Sequence, residues 1–305
     1  MRDKIIVIGS LNYDMIFKIP KMPELGENML AEHVTFRAGG KGANQAVQAA
    51  KLGMNTYMVG CVGNDSMGDF LLESAKKYGV NAEYIRRTET YSGMAAVNSL
   101  HDGGVFATIA KGANFEMTEA DIDRAEVLME EAAIVIFQME IPQEVNRYAI
   151  AKAKKHGCRI LMNAAPAAPF TEADIAECDI FVVNEVEAGY YAGKTIDTME
   201  KAAEEAAALS ERMGNTIIIT MGKAGAVVSS EGKTELIPSM KVKAVETTGA
   251  GDSFIGAVSY GLMQEMDIFE ACRFATRCSA VTVCNPGAQE SMPTLEEVEL
   301  SKKMI

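Results

Sequence analysis

The sequence predicts an α/β fold built around a mostly parallel sheet. Short apolar runs alternate with helical patterns along most of the chain, which is the signature of helices packed on a parallel sheet. Polar or glycine-rich breaks follow several of those runs, as at Asn12, Asn184 and Thr220, and open α/β sheets bind ligands at such carboxyl edges. Composition agrees: 48% hydrophobic and 23% charged residues over 305 positions is ordinary globular usage. A chain of this length buries about three quarters of its unfolded surface. Disordered, collagen-like and coiled-coil chains are excluded.

In chain order, Lys4–Gly9 is an apolar run suited to a strand buried on both faces. Lys41–Leu52 reads as a helix with Ala46, Ala49, Ala50 and Leu52 on its apolar side. Thr56–Gly63 is the next strand. Asp65-Ser66 opens a helix to Tyr78 that Gly79 closes. Glu119–Glu131 is helical, Ala133–Gln138 is a buried strand, and Gln143–His156 is a helix ended by Gly157. Strands follow at Arg159–Asn163, Asp179–Val183 and Thr216–Thr220, with the alanine-rich helix Thr198–Met213 between the last two. Ala250–Gln264 and Ile268–Cys284 are the closing helices.

Two stretches, 14–38 and 82–110, break the alternation. They hold short strand patterns and turns (Pro20, Pro23-Glu24, Asp102-Gly103-Gly104) and no helix. Their polar–apolar alternation is that of half-exposed antiparallel strands. Two readings stand: a small second sheet forming a lid over a ligand crevice, or plain surface hairpins.

The 29 basic and 42 acidic side chains give a net charge of −13, which argues against binding a nucleic-acid backbone. No apolar run approaches the ~18 residues of a membrane helix, so no membrane partner is expected. The apolar run after Met1-Arg2-Asp3-Lys4 is too short for a signal-peptide core. The six cysteines include no C-x-x-C pair, so free thiols in a reducing cytoplasm are expected, and no structural zinc site. His33, His101 and His156 show no metal or triad spacing. The 20 methionines read as core fillers.

The most informative segment is Glu246-Thr-Thr-Gly249-Ala250-Gly251-Asp252-Ser253-Phe254. Its glycines permit close approach, and the N–H groups of the helix that starts there form an anion site. Asp252 has two readings: an acid that interacts with those N–H groups, or a general base beside a transferring phosphoryl group. Arg37-Ala-Gly39-Gly40-Lys41-Gly42-Ala43-Asn44 joins a strand to a helix and has neither P-loop nor G-x-G-x-x-G order. It is either a glycine-rich turn or a backbone lying close to a small polyol, with the Asn44 amide facing hydroxyls. Asn12 and Asp14, Glu140, Asn184-Glu185-Val-Glu187 and Thr220-Met-Gly222-Lys-Ala-Gly225 follow other strands. Their convergence on one edge outweighs any single motif.

Together these residues resemble the ribokinase branch of the ribokinase/PfkB carbohydrate kinases. Gly39-Gly40-Lys41-Gly42-Ala43-Asn44-Gln45-Ala46 is similar to one family signature, and Thr247-Thr248-Gly249-Ala250-Gly251-Asp252-Ser253-Phe254 to the other. The resemblance runs from Gly9 to Ser291. It implies one domain over 1–305, a three-layer sandwich with a central mostly parallel sheet and a small β-sheet lid that often forms a homodimer interface. It implies ATP-dependent phosphorylation of a primary hydroxyl of a pentose, D-ribose to D-ribose 5-phosphate first. Another sugar or a nucleoside is an alternative substrate, and a non-catalytic sugar-binding regulator is an alternative role.

The resemblance also implies roles by position. Asn12, Asp14, Gly40, Lys41, Asn44 and Glu140 match sugar contacts. Asp252 matches the base, and Gly249, Ala250 and Gly251 the anion hole. Asn184 and Glu187 match an N-x-x-E motif that organises Mg²⁺ and phosphates. Thr220, Gly222, Gly225 and Thr276 match the ATP loop and adenine side. Backbone or side-chain oxygens of Glu246, Thr248, Thr282, Asn285, Gly287 and Ser291 match a monovalent-cation loop, implying activation by K⁺. Position 246 is Glu where ribokinases usually carry Asp. Asn98, Ser99 and His101 make the lid strand more polar, and Ala96 is smaller than the usual aliphatic. These departures bear on the cation and on the sugar.

Overall fold

The computed structural model describes residues 2–101 and 105–301. The chain runs β1 (Lys4–Ile8), β2 (Asn12–Ile19), β3 (His33–Gly39), α1 (Lys41–Lys51), β4 (Asn55–Gly63), α2 (Ser66–Lys77), β5 (Asn81–Thr88), β6 (Gly93–Leu100) and β7 (Val105–Ala110). It continues through α3 (Glu119–Met129), β8 (Ala132–Phe137), α4 (Gln143–Lys155), β9 (Arg159–Asn163), α5 (Glu172–Ala176), β10 (Ile180–Asn184), α6 (Glu185–Ala192) and α7 (Met199–Met213). Then come β11 (Thr216–Thr220), β12 (Gly225–Ser230), β13 (Lys233–Pro238), α8 (Ala250–Met263), α9 (Ile268–Thr282) and α10 (Leu295–Ser301).

Nine strands make the large sheet in the order β13-β12-β11-β10-β9-β8-β1-β4-β5. It is parallel from β11 to β5, and β12 and β13 join antiparallel at one edge. Strand β1 shows why its run is apolar throughout. Ile5 and Val7 belong to the buried cluster that also holds Val47 of α1, Phe254 of α8 and Phe274 of α9. Ile6 and Ile8 lie on the other side, in the buried cluster that also holds Ile122 of α3, Val145 of α4 and Ala202 of α7. A parallel strand covered by helices on both faces needs no polar alternation. The chain leaves β1 toward β4 on one side and later returns as β8 on the other. The crevice at their carboxyl ends is the place where such sheets bind ligands.

A second sheet, β3-β2-β6-β7, stands over that crevice, with β2 and β6 parallel and the outer pairs antiparallel. The segment expected to supply it from residue 82 onward enters it at Gly93. Asn81–Thr88 instead pairs with β4 as the edge strand of the large sheet, with Ile85 buried in the core. An edge strand is half-exposed, so its alternation mimics that of a small separate sheet. The expected turn Asp102-Gly103-Gly104 lies outside the described residues. Strands β12 and β13 escape the sequence reading because they follow a glycine-rich segment and form a hairpin through Glu231-Gly232.

In the small sheet, Asp14, Arg37, Ala95 and Ile109 are cross-strand neighbours and share the face toward the crevice. The row Phe36, Met15 and Ala96 and the row Val34, Phe17, Asn98 and Phe106 share the opposite face. The departures at Ala96 and Asn98 therefore sit on the outer face, away from Asp14. None of the six cysteines pairs with another. Among the described residues, no helix is long and apolar enough to cross a membrane.

Candidate active site

The site forms where β1, β8, β10 and β11 end beneath the starts of α1 and α8. Gly249 caps α8 with φ 78°, a left-handed conformation that suits glycine. Among the described residues, the backbone N–H groups of Gly251 and Asp252 find no acceptor, as expected for a first helical turn. Among the described residues, a Cβ at Gly251 would meet no atom within 4 Å beyond its own helix backbone and chain neighbours; it would occupy the open space where an anion could approach these donors.

Asp252 is buried in that turn. Its two carboxylate oxygens accept from Asn44 Nδ2 at 2.9 Å and Gln45 Nε2 at 3.0 Å. Burial raises its pKa, opposed by Lys41 and by these two amides, while Glu140 pushes it further up. Gln45 is held in turn, donating to Asn163 Oδ1 at 3.0 Å and accepting from Gln138 Nε2 at 2.8 Å. Asn44 Oδ1 accepts from Gln289 Nε2 at 3.1 Å. The base candidate is thus oriented by a buried amide network.

Gly40 caps α1 with φ 88°, and a Cβ there would lie 2.7 Å from the Asn12 backbone nitrogen. This close approach places the start of α1 against the end of β1. Glu140 accepts from Ser10 Oγ and from the Lys41 N–H at 3.2 Å. Among the described residues, the Lys41 ammonium makes no hydrogen bond or ion pair. Burial pulls its pKa down, but Asp252, Glu140 and Glu187 overcome this and leave it raised. An unpaired ammonium held charged by three carboxylates is poised for an anion. Asp14 is pushed up to about 7 by burial and then by Glu140 and Asp252, against Arg37. Asn12 is buried, and its Oδ1 accepts from Asn114 Nδ2 at 2.7 Å.

Two cavities flank the start of α8. One of about 150 Å³ is lined by Lys41, Asn184, Glu187, Thr220, Gly251 and Asp252, among others. The other, about 330 Å³, includes Thr220, Gly222, Gly225, Gly251 and Thr276 in its wall. That size lies in the range of small-molecule sites. The two share Thr220 and Gly251, so a ligand crossing between them would pass the free N–H groups.

The N-x-x-E pair forms a capping box at α6. Asn184 accepts from the N–H groups of Val186 and Glu187, and Glu187 accepts from the Asn184 N–H at 2.9 Å. Glu187 still faces the smaller cavity, and burial, its leading influence, raises its pKa. Among the described residues, no group of three or more His, Cys, Asp or Glu side chains could hold a metal ion. Glu187 fits Mg²⁺ as one outer carboxylate, since that ion keeps several waters and takes substrate phosphates.

The Glu246 carboxylate expected to anchor a monovalent cation is already engaged and neutralised within the protein. Arg37 Nη1 donates to both Glu246 oxygens, at 2.8 and 3.1 Å. Glu246 Oε2 also accepts the Gly287 N–H at 2.9 Å. Thr282 Oγ1 lies in a buried bond with Ser253 Oγ at 2.9 Å, and Ser291 Oγ donates to the Gly287 carbonyl at 2.7 Å. Asn285 Nδ2 donates to the Val281 carbonyl at 3.2 Å, at its own helix end. The Glu246 pKa is lowered against burial by the Gly287 N–H and Arg37. A cation about 4 Å from the guanidinium would meet roughly 4 kcal/mol of repulsion at an effective dielectric constant of about 20.

Sequence reasoning missed Ser10, Gln45 and Asn114, which touch the expected residues, and Asn163, which holds Gln45. Gln45 alone had a signal, lying within the glycine-rich signature.

Residues 2–295 match the model of the pfkB family carbohydrate kinases. A ribokinase of Bacillus subtilis is 39% identical over 296 residues, covering 97% of this chain and 98% of that protein. A deoxyribokinase of Salmonella typhi is 36% identical over 295 residues, covering 96% of each. The structure of Arabidopsis thaliana ribokinase complexed with ribose and ATP superposes with a TM-score of 0.89 at 29% identity, over 98% of both chains.

Proposed function

The chain belongs to the pfkB family of carbohydrate kinases and is an ATP-dependent sugar kinase; from that premise we propose that it phosphorylates the primary hydroxyl of a pentose, D-ribose first. The observation that carries this reading is Asp252, a buried carboxylate at the start of α8 beside unpaired N–H groups and an unpaired Lys41. The sugar lies under the small sheet, contacted by Asn12, Asp14, Gly40, Lys41, Asn44 and Glu140. ATP lies along Asn184, Thr220, Gly222, Gly225 and Thr276, with its γ-phosphate at Gly249–Gly251.

Asp252 takes the proton of the sugar hydroxyl as its oxygen bonds to the γ-phosphorus and the bond to ADP breaks. The Gly251 and Asp252 N–H groups and the Lys41 ammonium stabilise the charge on the transferring phosphoryl oxygens. Bound beside Glu187 and the phosphates, Mg²⁺ would neutralise phosphate charge. The small sheet acts as the lid that excludes water. Free, unpaired thiols support a cytoplasmic setting.

A coupled ADP-release screen over pentoses, hexoses and nucleosides tests this reading. D-ribose is expected to give the highest kcat/KM, at least about tenfold above 2-deoxy-D-ribose, because polar groups built for a hydroxyl are left unpaired without it. The Salmonella relative named deoxyribokinase favours a second reading, and a preference for 2-deoxy-D-ribose would establish it.

A homodimer through the small sheet is part of the proposal. Val34, Phe36 and Phe106 are exposed on one outer face, and exposed apolar patches mark interaction sites. Phe36→Asp with Phe106→Asp is expected to convert a dimer to a monomer in sedimentation velocity. A wild type that sediments as a monomer contradicts it.

A further inference from the structure

We infer that Arg37 takes the place of a monovalent cation in this protein. Its guanidinium neutralises Glu246 and pins the segment leading into the anion-binding helix start, so turnover needs no K⁺. The inference rests on the proposed role of Gly249–Gly251 and concerns what holds that segment in place.

Arg37 lies on β3 of the small sheet, and Glu246 lies three positions before the Gly249 cap of α8. Glu246 joins three separate parts of the chain: Arg37 through both carboxylate oxygens, the Gly287 loop through its N–H, and its own segment, whose N–H groups at Val245 and Glu246 bond the Val283 carbonyl at 2.7 and 3.3 Å. A bound cation would serve the same purpose, drawing a carboxylate and loop oxygens together and cancelling their charge. The guanidinium is permanently protonated and can engage a carboxylate through fixed, directional donors. It therefore supplies that charge without depending on the salt present.

The longer Glu side chain at 246 suits this arrangement. Its carboxylate reaches out to the small sheet, and the pair is only partly exposed, at 19% and 27%. Arg37 is also the cross-strand partner of Asp14. The same guanidinium thus stands between the proposed sugar carboxylate and the anion-binding segment. Arg37 is a positioning residue: it acts on the phosphate site through Glu246.

The test compares KCl with choline chloride at constant ionic strength in sodium-free buffer. Wild-type kcat is expected to change less than twofold with K⁺. Arg37→Ala is expected to lose about tenfold in kcat and to regain most of it with K⁺, a rescue that a purely structural residue would not show. Arg37→Lys, which keeps the charge, is expected to remain K⁺-independent. Melting temperatures supply a readout besides turnover: K⁺ should raise that of Arg37→Ala and leave the wild type unchanged. Several-fold activation or stabilisation of the wild type by K⁺ would overturn the inference. So would a slow Arg37→Ala that K⁺ does not restore, or one that stays fast without K⁺. If Arg37→Ala does not fold, the wild-type K⁺ titration and Arg37→Lys decide. A wild type that releases ADP with no sugar would sink the substrate reading, and the melting comparison would still decide this one.

Discussion

Asp252→Asn is expected to reduce kcat by about 10²–10⁴-fold, the range for loss of a positioned base, while ATP and sugar binding stay measurable. The substitution keeps the shape of the side chain but removes its ability to take a proton. It also turns an amide against the Asn44 and Gln45 amides, which now donate to both carboxylate oxygens. One of these contacts must be lost, at about 1–3 kcal/mol of stability. Calorimetric titration of ATP and sugar, run beside the rate assay and a melting curve, separates the two effects. The wild-type rate should fall as pH drops through the raised Asp252 pKa, because protonation disables the base. A folded Asp252→Asn enzyme keeping more than a tenth of wild-type kcat would remove Asp252 from this role.

Asp14→Ala is expected to raise the KM for sugar by about 5–150-fold, equivalent to about 1–3 kcal/mol for a lost buried hydrogen bond, with little change for ATP. Asp14 lies on the crevice face of β2, and nothing in the adenine-side cavity involves it. Its carboxyl is pushed up to about 7, first by burial and then by Glu140 and Asp252. If the ionised form accepts from sugar hydroxyls, wild-type kcat/KM for sugar should rise as pH increases through about 7. The stability sign runs the other way. The folded pKa exceeds the unfolded one, so the native state binds the proton more tightly, and stability declines as pH rises toward the folded value. Asp14→Asn should therefore raise the melting temperature more at pH 8 than at pH 5. Equal losses for sugar and ATP in Asp14→Ala would show that the two half-sites have been exchanged.

Much of the fold was legible because burial on both faces leaves a direct mark. Lys4–Gly9 could hardly be anything but a parallel strand once helices covered both of its sides. Edge strands were less legible: the alternation of Asn81–Thr88 suits either sheet, and only its pairing with β4 decides between them. In the site, Asp252 and its glycines announced themselves through local chemistry at a helix start. Asn184 and Glu187 were visible as a motif, but their capping box is also an ordinary way to begin a helix. The Arg37–Glu246 pair spans 209 positions, and neither residue's surroundings mark the other. Asn163 was hidden in the same way, since a polar side chain that holds another in place has no spacing rule of its own; Gln45 was within a visible signature, but its role was not.

The central claim is that a phosphoryl group passes from ATP to a primary sugar hydroxyl. The most direct measurement is the phosphorus NMR spectrum of the product made from D-ribose, ATP and the wild-type enzyme. A phosphate on a primary carbon is split into a triplet by the two protons of that carbon. The account predicts one new phosphomonoester triplet, growing in step with ADP. A doublet, which marks a phosphate on a carbon bearing one proton, would contradict it, as would ADP appearing with inorganic phosphate and no ester.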